Sequence, residues 1–226
     1  MAAPVPALDD SVVFERTELD ERSWFDLARG WVTDSGEVYD ALTGTIPWRQ
    51  GSVYRYEKYR DEPRVSAWCP SNQPVPHPVF KRMQQALQQR YRVFFDGFAL
   101  SWYRDGNDCV GFHRDSDLRY CENTVIAIAT FGAQRPWLLR PTGARNRFTD
   151  ELQGATHDLA PAGGDLLVMG GRSQRGWEHS VPMVRGAARA KAGRISASWR
   201  WTSRTGKPEI GPGSRAPLLY SNGGRA

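Results

Sequence analysis

The segment GFHRDSD at residues 111–117 carries residue types that bind metal ions. His113 stands two positions before Asp115, and on an extended segment residues i and i+2 point to the same side. Both side chains could therefore reach one cation. An isolated HxD triplet is more often a surface loop than a metal site. A metal site therefore requires a third ligand from elsewhere in the chain.

The remaining histidines supply the candidates for this third ligand. His179, in GWEHSVP, follows the strand-like run GGDLLVMGG and could pair with the strand that carries His113. His157 is a weaker candidate because QGATHDLAP is typical of a turn, and His77, between two prolines, is expected at the entry to a helix. Two histidines and one carboxylate with open coordination positions form the facial triad of non-haem Fe(II) oxygenases.

A second set of reactive groups lies in RISASWR, at residues 194–200. Arg194 and Arg200 are six residues apart, so on a strand they share one face with Ser196 and Ser198. Arginines inside a β core are costly unless an anion compensates their charge. A dicarboxylate would do so, because guanidinium groups bind carboxylates in a bidentate fork. The alternative interpretation is a pair of exposed charges on an edge strand.

Short strands must position these groups. After residue 93 the chain consists of β-branched or aromatic runs separated by Gly, Pro, Asn or Asp, which predicts an antiparallel sandwich or barrel. The strong turn signal RDGND, at 104–108, predicts a hairpin that places Tyr103 and His113 on neighbouring strands.

The N-terminal part is expected to be helical and to cover one face of the β core. Apolar residues at three-to-four spacing predict a helix in DERSWFDLARG, at 20–30, and a second in HPVFKRMQQALQQRYR, at 77–92. We expect a single domain at 13–202, with a helical and lid part at about 13–92 and a β core at about 93–202. Flexible tails are expected at 1–12 and 203–226, the second of which is rich in Gly, Pro and Ser.

Composition is consistent with an intracellular protein that binds an anion. The formal net charge of +5 permits a nucleic-acid partner without requiring one. Three cysteines without a CxxC pair favour a reducing compartment. No apolar run is long enough to span a bilayer, so we expect a soluble, cytoplasmic monomer with no membrane partner.

The motifs ALSWYRDGNDCVGFHRDSD, ATFGAQRPWLLR, GGDLLVMGGRSQRGWEHSVP and RISASWR occur in a familiar order. Over roughly residues 60–201 the chain resembles the AlkB-type 2-oxoglutarate- and Fe(II)-dependent dioxygenases. The resemblance implies a mainly β (α+β) fold, with a double-stranded β-helix (jelly-roll) core, N-terminal helices and a substrate lid. It also implies an enzyme that uses Fe(II), 2-oxoglutarate and O₂ to remove N-alkyl lesions, such as 1-methyladenine and 3-methylcytosine, from DNA or RNA. Formaldehyde, succinate and CO₂ would be released.

The resemblance assigns roles to individual residues. The implied iron ligands are His113, Asp115 and His179. The implied cosubstrate residues are Ser101, Tyr103, Arg194, Ser196, Ser198 and Arg200. The implied substrate residues are Trp68 and Asp117 near the damaged base, with Arg135, Arg172 and Arg175 as candidates for phosphate contacts. The family usually has asparagine at the positions of Ser101 and Ser196, and the shorter serines could act through water.

Two other functions are compatible with the sequence. The serines at 101 and 196 leave room for the same dioxygenase chemistry on a modified tRNA, a protein or a small molecule. A non-catalytic jelly-roll module that binds nucleic acid and has lost its cosubstrate is the third hypothesis. The apparently complete metal triad and both arginines argue against it.

Overall fold

The structure is a computed structural model that describes residues 5–55, 57–115, 118, 121–143 and 154–203. Within these residues the strands, in chain order, are β1 Glu15–Asp20, β2 Ser23–Ala28, β3 Arg49–Arg55, β4 Lys58–Pro70, β5 Gly97–Tyr103, β6 Val110–His113, β7 Asn123–Gly132, β8 Leu138–Pro141, β9 His157–Asp158, β10 Leu166–Gly171, β11 Trp177–Val181 and β12 Arg194–Ser203. The helices are α1 Ser35–Thr45, α2 Pro78–Tyr91, the single turn α3 Ser173–Gly176 and a 3₁₀ helix at Gly186–Lys191.

The strands form two antiparallel sheets. The larger sheet has eight strands in the order β1-β2-β10-β7-β12-β5-β4-β3, and the smaller has four in the order β6-β11-β8-β9. The mainly β fold with few helices confirms the predicted fold class and is consistent with a jelly-roll core. No helix in the described part of the chain is long and apolar enough to cross a membrane.

The larger sheet buries both of its faces, and strand β7 shows why. Side chains alternate across a strand, so Val125, Ala127, Ala129 and Phe131 join the core beneath α1 and α2. Ile126 and Ile128 point the other way, into a second core that the smaller sheet closes with Trp137, Leu139 and Trp177. Because both faces of β7 are buried, its sequence NTVIAIATFG is almost continuously apolar instead of alternating between apolar and polar residues.

The predicted helix at 77–92 is confirmed as α2. His77 caps it, because its Nδ1 accepts a hydrogen bond from Val79 N at 3.2 Å, and Pro78 occupies the first turn. Both features are typical of helix starts. The apolar face, with Phe80, Met83 and Leu87, is buried against the larger sheet.

The predicted helix at 20–30 is wrong, because this stretch forms strand β2. It pairs with β1 on one side and β10 on the other. The apolar spacing also suits a strand: Phe25 and Leu27 point into the core between the sheets, while Ala28 faces the helical layer. Pairing on both edges outweighed the local helical pattern. The part expected to be helical therefore supplies β1 to β4 as well as α1 and α2.

The two expected tails differ in what the structure describes. Residues 5–12 pack on the domain: Leu8 forms a β-bridge with Val32, Asp9 N donates to Trp31 O at 2.9 Å, and Val12 contacts the core beneath the helices. The flexible segment expected at 1–12 stays a prediction, and its first four residues lie outside the described part of the chain. At the other end, strand β12 extends to Ser203. The remainder of the expected C-terminal tail lies outside the described residues.

The predicted hairpin between Tyr103 and His113 is wrong, since the two residues end strands of different sheets. The intervening turn carries the chain from one sheet to the other. Arg104 Nε bonds Asp108 Oδ2 at 2.7 Å and so fixes the turn locally. The predicted turn is present, but the same turn residues can connect strands of one sheet or of two different sheets.

Candidate metal and cosubstrate site

A cluster of two imidazoles and one carboxylate lies between the sheets. Strands β6 and β11 pair so that His113 stands directly opposite His179, as the strand-pairing argument predicted. One ligand atom from each of His113, Asp115 and His179 lies within 4.8 Å of the other two. This donor set could hold one divalent cation and leave coordination positions open.

Hydrogen bonding and burial orient the two imidazoles of this cluster. His179 is buried and stacks on Trp137, with 5.2 Å between ring centroids and 13° between planes. Burial, reinforced by the neighbouring His113, lowers the pKa of His179 to about 3. His113 Nδ1 lies 2.9 Å from the carbonyl of Gly111, which can only accept a hydrogen bond, so Nε2 remains for a metal.

Asp115 is held as a carboxylate by its surroundings. Burial alone would raise its pKa, but the charge of Arg200 and the adjacent imidazoles hold that pKa far below the ordinary value. Arg200 Nε donates to Asp115 Oδ2 at 2.7 Å. The Asp115 backbone N donates to Gln174 Oε1 at 2.9 Å, which ties the ligand to α3. The carboxylate is thus ionised and oriented before any metal binds.

Arg194 is a buried cation with no hydrogen-bond partner in the part of the chain that the structure describes. Its side chain is fully buried, and Nε, Nη1 and Nη2 all lack a hydrogen-bond partner among the described residues. Burial lowers its pKa to about 10, so the guanidinium still carries its charge at neutral pH. A buried, unpaired guanidinium is costly unless an anion completes it. The site therefore fits a ligand carboxylate at this position.

The other predicted cosubstrate residues surround Arg194. Strands β12 and β5 pair Arg194 with Tyr103 and Ser196 with Ser101. The Arg194 Cζ atom lies 5.5 Å from the centroid of the Tyr103 ring. The six predicted residues line one cavity together with His113, Asp115 and His179: they are Ser101, Tyr103, Arg194, Ser196, Ser198 and Arg200. Arg194 and Arg200 therefore share one face of β12, as their six-residue spacing predicted.

Arg135 was predicted to contact phosphate, and the structure contradicts this. Its side chain is fully buried. It donates to the carbonyl oxygens of Asp105, Asp108, Pro182 and Ala192 at 2.8–3.3 Å. These bonds hold the turn between β5 and β6 against the segment that follows β11. Arg135 is a structural residue that a nucleic-acid backbone cannot reach.

Two predicted substrate residues have different outcomes. Trp68 lies on β4 opposite Ala99, which in turn pairs with Ser198 of β12, and it stands four residues along β4 from Arg64, which lines the cavity. It shares the cavity-facing side of the sheet but does not line the cavity itself. Asp117 lies outside the described residues.

The two predicted substrate arginines lie beside the His–Asp–His cluster and do not line the cavity that contains Arg194. Arg172 and Arg175 flank Gln174, whose side chain holds the backbone of Asp115. Both guanidiniums bond Glu122, with Arg172 Nε to Oε2 at 2.8 Å and Arg175 Nη1 to Oε1 at 2.7 Å. They remain partly exposed and therefore accessible to a ligand.

Sequence reasoning missed three residues of the site. Arg64 lines the cavity from β4, Trp137 stacks on His179, and Gln174 orients Asp115. A signal existed for Arg64, since it alternates with Ser66 and Trp68 on one face of PRVSAWCP. No comparable pattern marked Gln174, whose role depends on a contact 59 residues away in sequence.

Comparison with known proteins agrees with this geometry. A family model described as the 2OG-Fe(II) oxygenase superfamily matches residues 29–200. The chain belongs to the 2OG-Fe(II) oxygenase superfamily. The family confirms the predicted dioxygenase class together with Fe(II), 2-oxoglutarate and O₂ as its cofactor and cosubstrates.

The relatives are AlkB homologues, as the motif order predicted. The human alpha-ketoglutarate-dependent dioxygenase alkB homolog 3 is 25% identical over 162 residues, which cover 67% of this chain and 57% of that protein. The DNA oxidative demethylase ALKBH2 of Arabidopsis thaliana is 26% identical over 200 residues, covering 74% and 62%. The chain thus spans little more than half the length of the curated relatives it matches.

Solved structures support the fold. OsALKBH1 superposes with a TM-score of 0.50 and 16% identity, covering 82% of this chain and 99% of that one. A prolyl hydroxylase from Trichoplax adhaerens, in complex with a hypoxia inducible factor peptide, gives 0.55 at 14% identity, covering 77% and 82%. These similarities concern the fold alone.

Proposed function

We propose that this protein is a 2-oxoglutarate- and Fe(II)-dependent oxidative demethylase that removes N-alkyl lesions from DNA or RNA. Its substrates would include 1-methyladenine and 3-methylcytosine, with release of formaldehyde, succinate and CO₂. The observation that carries the proposal is the fully buried guanidinium of Arg194, which has no hydrogen-bond partner among the described residues and lies in the same cavity as the His–Asp–His cluster. The relatives named as AlkB homologues and DNA oxidative demethylases support the substrate class.

The protein would hold its cofactors with the groups described above. His113, Asp115 and His179 are the proposed iron ligands, and Arg194 would bind one carboxylate of 2-oxoglutarate. Arg200 would serve the other end while it keeps its bond to Asp115. When bound, iron and the keto acid activate O₂ for oxidation of the methyl group. Ser101, Tyr103, Ser196 and Ser198 would shape the cavity around the cosubstrate.

The remaining task of the chain is to orient a nucleobase. A base inside a duplex cannot reach a cavity between two sheets, so it must be flipped out and held by stacking. Trp68 is the proposed aromatic partner on the cavity-facing side of β4, and Asp117 is the proposed contact to the base. Arg172 and Arg175 are the proposed phosphate contacts.

The proposal also covers the domain bounds, the oligomeric state and the cellular location. We propose one catalytic domain at 13–202, because β2, β5, β7 and β10 each contribute residues to both cores. A cytoplasmic monomer is the simplest state, and no disulfide joins Cys69, Cys109 or Cys121, which is consistent with a reducing compartment. Light scattering and cell fractionation would test these two points.

An assay on methylated oligonucleotides tests the function. Incubation with Fe(II), 2-oxoglutarate and air should release formaldehyde in proportion to succinate, with an unmethylated oligonucleotide as the control. Arg194→Met should abolish both products. Succinate formation without formaldehyde would contradict base repair and favour a modified tRNA, a protein or a small molecule as substrate. Absence of 2-oxoglutarate binding would favour the non-catalytic module.

A further inference from the structure

Three arginines converge on one carboxylate beside the proposed active site. Glu122 accepts hydrogen bonds from Arg172 and Arg175, and Arg22 Nη2 lies 3.4 Å from Glu122 Oε2. The arginines come from two places in the chain, the turn between β1 and β2 and the segment around α3. One carboxylate therefore contacts three guanidiniums and cannot occupy all of their N–H donors.

The backbone beneath this arginine cluster is tightly fixed. Arg172 N donates to Arg22 O at 2.8 Å, which joins the two segments. Gly171, with a φ of +65°, allows this approach, since a Cβ there would lie 2.0 Å from Arg22 O. Any larger residue would force the segments apart. The backbones of Arg22 and Arg172 are thus held close together.

The arginine cluster opens to solvent. Arg22, Arg172 and Arg175 line a cavity of about 350 Å³, and the side chains of Arg22 and Arg175 are 55% and 53% exposed. Asp20 and Glu21 also line the cavity and carry negative charge, so the cluster offers unoccupied N–H donors rather than a net positive charge. Asp20 accepts hydrogen bonds from Trp177 Nε1 at 2.7 Å and from Arg22 N at 2.9 Å. Each guanidinium has five N–H donors. In the described structure Glu122 accepts two hydrogen bonds from Arg172 and one each from Arg22 and Arg175, so each guanidinium keeps donors that Glu122 does not occupy.

The arginine cluster lies next to the proposed metal ligands. Gln174, between Arg172 and Arg175, accepts from the backbone N of Asp115. Arg114, which separates the ligands His113 and Asp115, donates from Nη1 to Arg175 O at 3.2 Å. A strand that delivers a base to the metal site would therefore carry a flanking phosphate past these arginines.

We propose that Arg22, Arg172 and Arg175 form a subsite for a backbone phosphate of the nucleic-acid strand that enters the active site. Glu122 occupies this subsite in the free protein and holds the guanidiniums in place. A phosphate then binds the donors that Glu122 leaves free, as guanidinium groups readily do. The inference rests on the proposed function for its ligand and adds Arg22 and Glu122 to the residues that recognise it.

Salt-dependent binding of a labelled, unmethylated single-stranded oligonucleotide tests the subsite. Arg22→Ala combined with Arg175→Ala leaves Arg172 paired with Glu122 and keeps the backbone contacts. The slope of log affinity against log salt should become shallower by about 0.7, the value for one phosphate on a single strand. Arg22→Lys with Arg175→Lys should keep the wild-type slope, and Arg82→Ala, an exposed arginine on α2, serves as the matched control. Glu122→Gln should bind more tightly at low salt.

A wild-type slope in the double alanine variant would overturn the subsite, and weaker binding by Glu122→Gln would overturn the role given to Glu122. Loss of inorganic phosphate binding with an unchanged oligonucleotide slope would assign the cluster to a free anion and also overturn the proposal. Formaldehyde release by the wild type is measured in parallel. A shallower slope in the double alanine variant, with no formaldehyde release by the wild type, would contradict the demethylase function and support the subsite. Formaldehyde release by the wild type, with an unchanged slope in the variant, would support the demethylase function and contradict the subsite.

Discussion

Arg200 Nε lies 2.7 Å from Asp115 Oδ2, so the arginine proposed to bind the cosubstrate also holds a proposed metal ligand. The other arginine of the same strand face, Arg194, has no such contact in the described structure. The two arginines are equivalent in sequence pattern but differ in what they touch. This difference makes them a matched pair for experiment.

We expect Arg200→Met to weaken metal binding and Arg194→Met to leave it nearly unchanged. Loss of a group that orients a metal ligand commonly reduces metal affinity about 10- to 100-fold. Titration with Co(II), followed by its visible absorption, measures this in both variants. Equal metal affinity in the two variants would show that the bond between Arg200 and Asp115 does not prepare the ligand.

We expect Arg194→Met to remove stabilisation by 2-oxoglutarate without destabilising the ligand-free fold. Among the described residues the buried charge of Arg194 has no hydrogen-bond partner. Methionine replaces it with an apolar group, so the variant should be at least as stable as the wild type. With Mn(II) present, 2-oxoglutarate at 100 times its Kd should stabilise the wild type by about 2.7 kcal/mol. Thermal unfolding with and without the keto acid measures both effects. A ligand-free variant that melts well below the wild type would mean that the protein itself satisfies Arg194.

Trp137 is expected to matter for stability and for the position of His179. Its side chain is buried in the core between the sheets and stacks on the imidazole. Trp137→Ala should cost about 3–5 kcal/mol of unfolding free energy, as large-to-small changes of buried aromatics do. Trp137→Phe should lose much less, because a ring remains to stack. Denaturant unfolding compares the two, and similar losses would argue against stacking as the important contact.

Asp108 should make stability depend on pH in the acid range. Burial would raise its pKa, but hydrogen bonds from the side chain and backbone of Arg104, with the charge of Arg104, hold it below the ordinary value. A group whose folded-state pKa is depressed stabilises the protein above its unfolded pKa, about 4, and loses this contribution as pH falls through the folded value. The stability difference between wild type and Asp108→Asn should therefore be present at neutral pH and shrink in acid. A difference that grows on acidification would contradict this.

The sequence determined the chemistry of the site to a large extent. Arg194 shares a strand face with Ser196, Ser198 and Arg200 because of strand alternation, whereas His113 and Asp115 line the same cavity although β6 ends at His113. Strand alternation is a local property of the chain, so the shared face of β12 needed no tertiary information. The helix α2 followed equally from its apolar period and from Pro78 in its first turn.

Only the tertiary structure decided which groups are buried and which segments meet. The run at 20–30 suits a helix or a strand, and pairing with β10 made it a strand. Arg135 resembles a surface arginine in sequence, yet four carbonyl oxygens from separate segments enclose it. The register that sets His179 opposite His113 and the contact between Arg22 and Glu122 also join residues far apart in the chain. Such contacts depend on the packing of whole sheets, which no local spacing records.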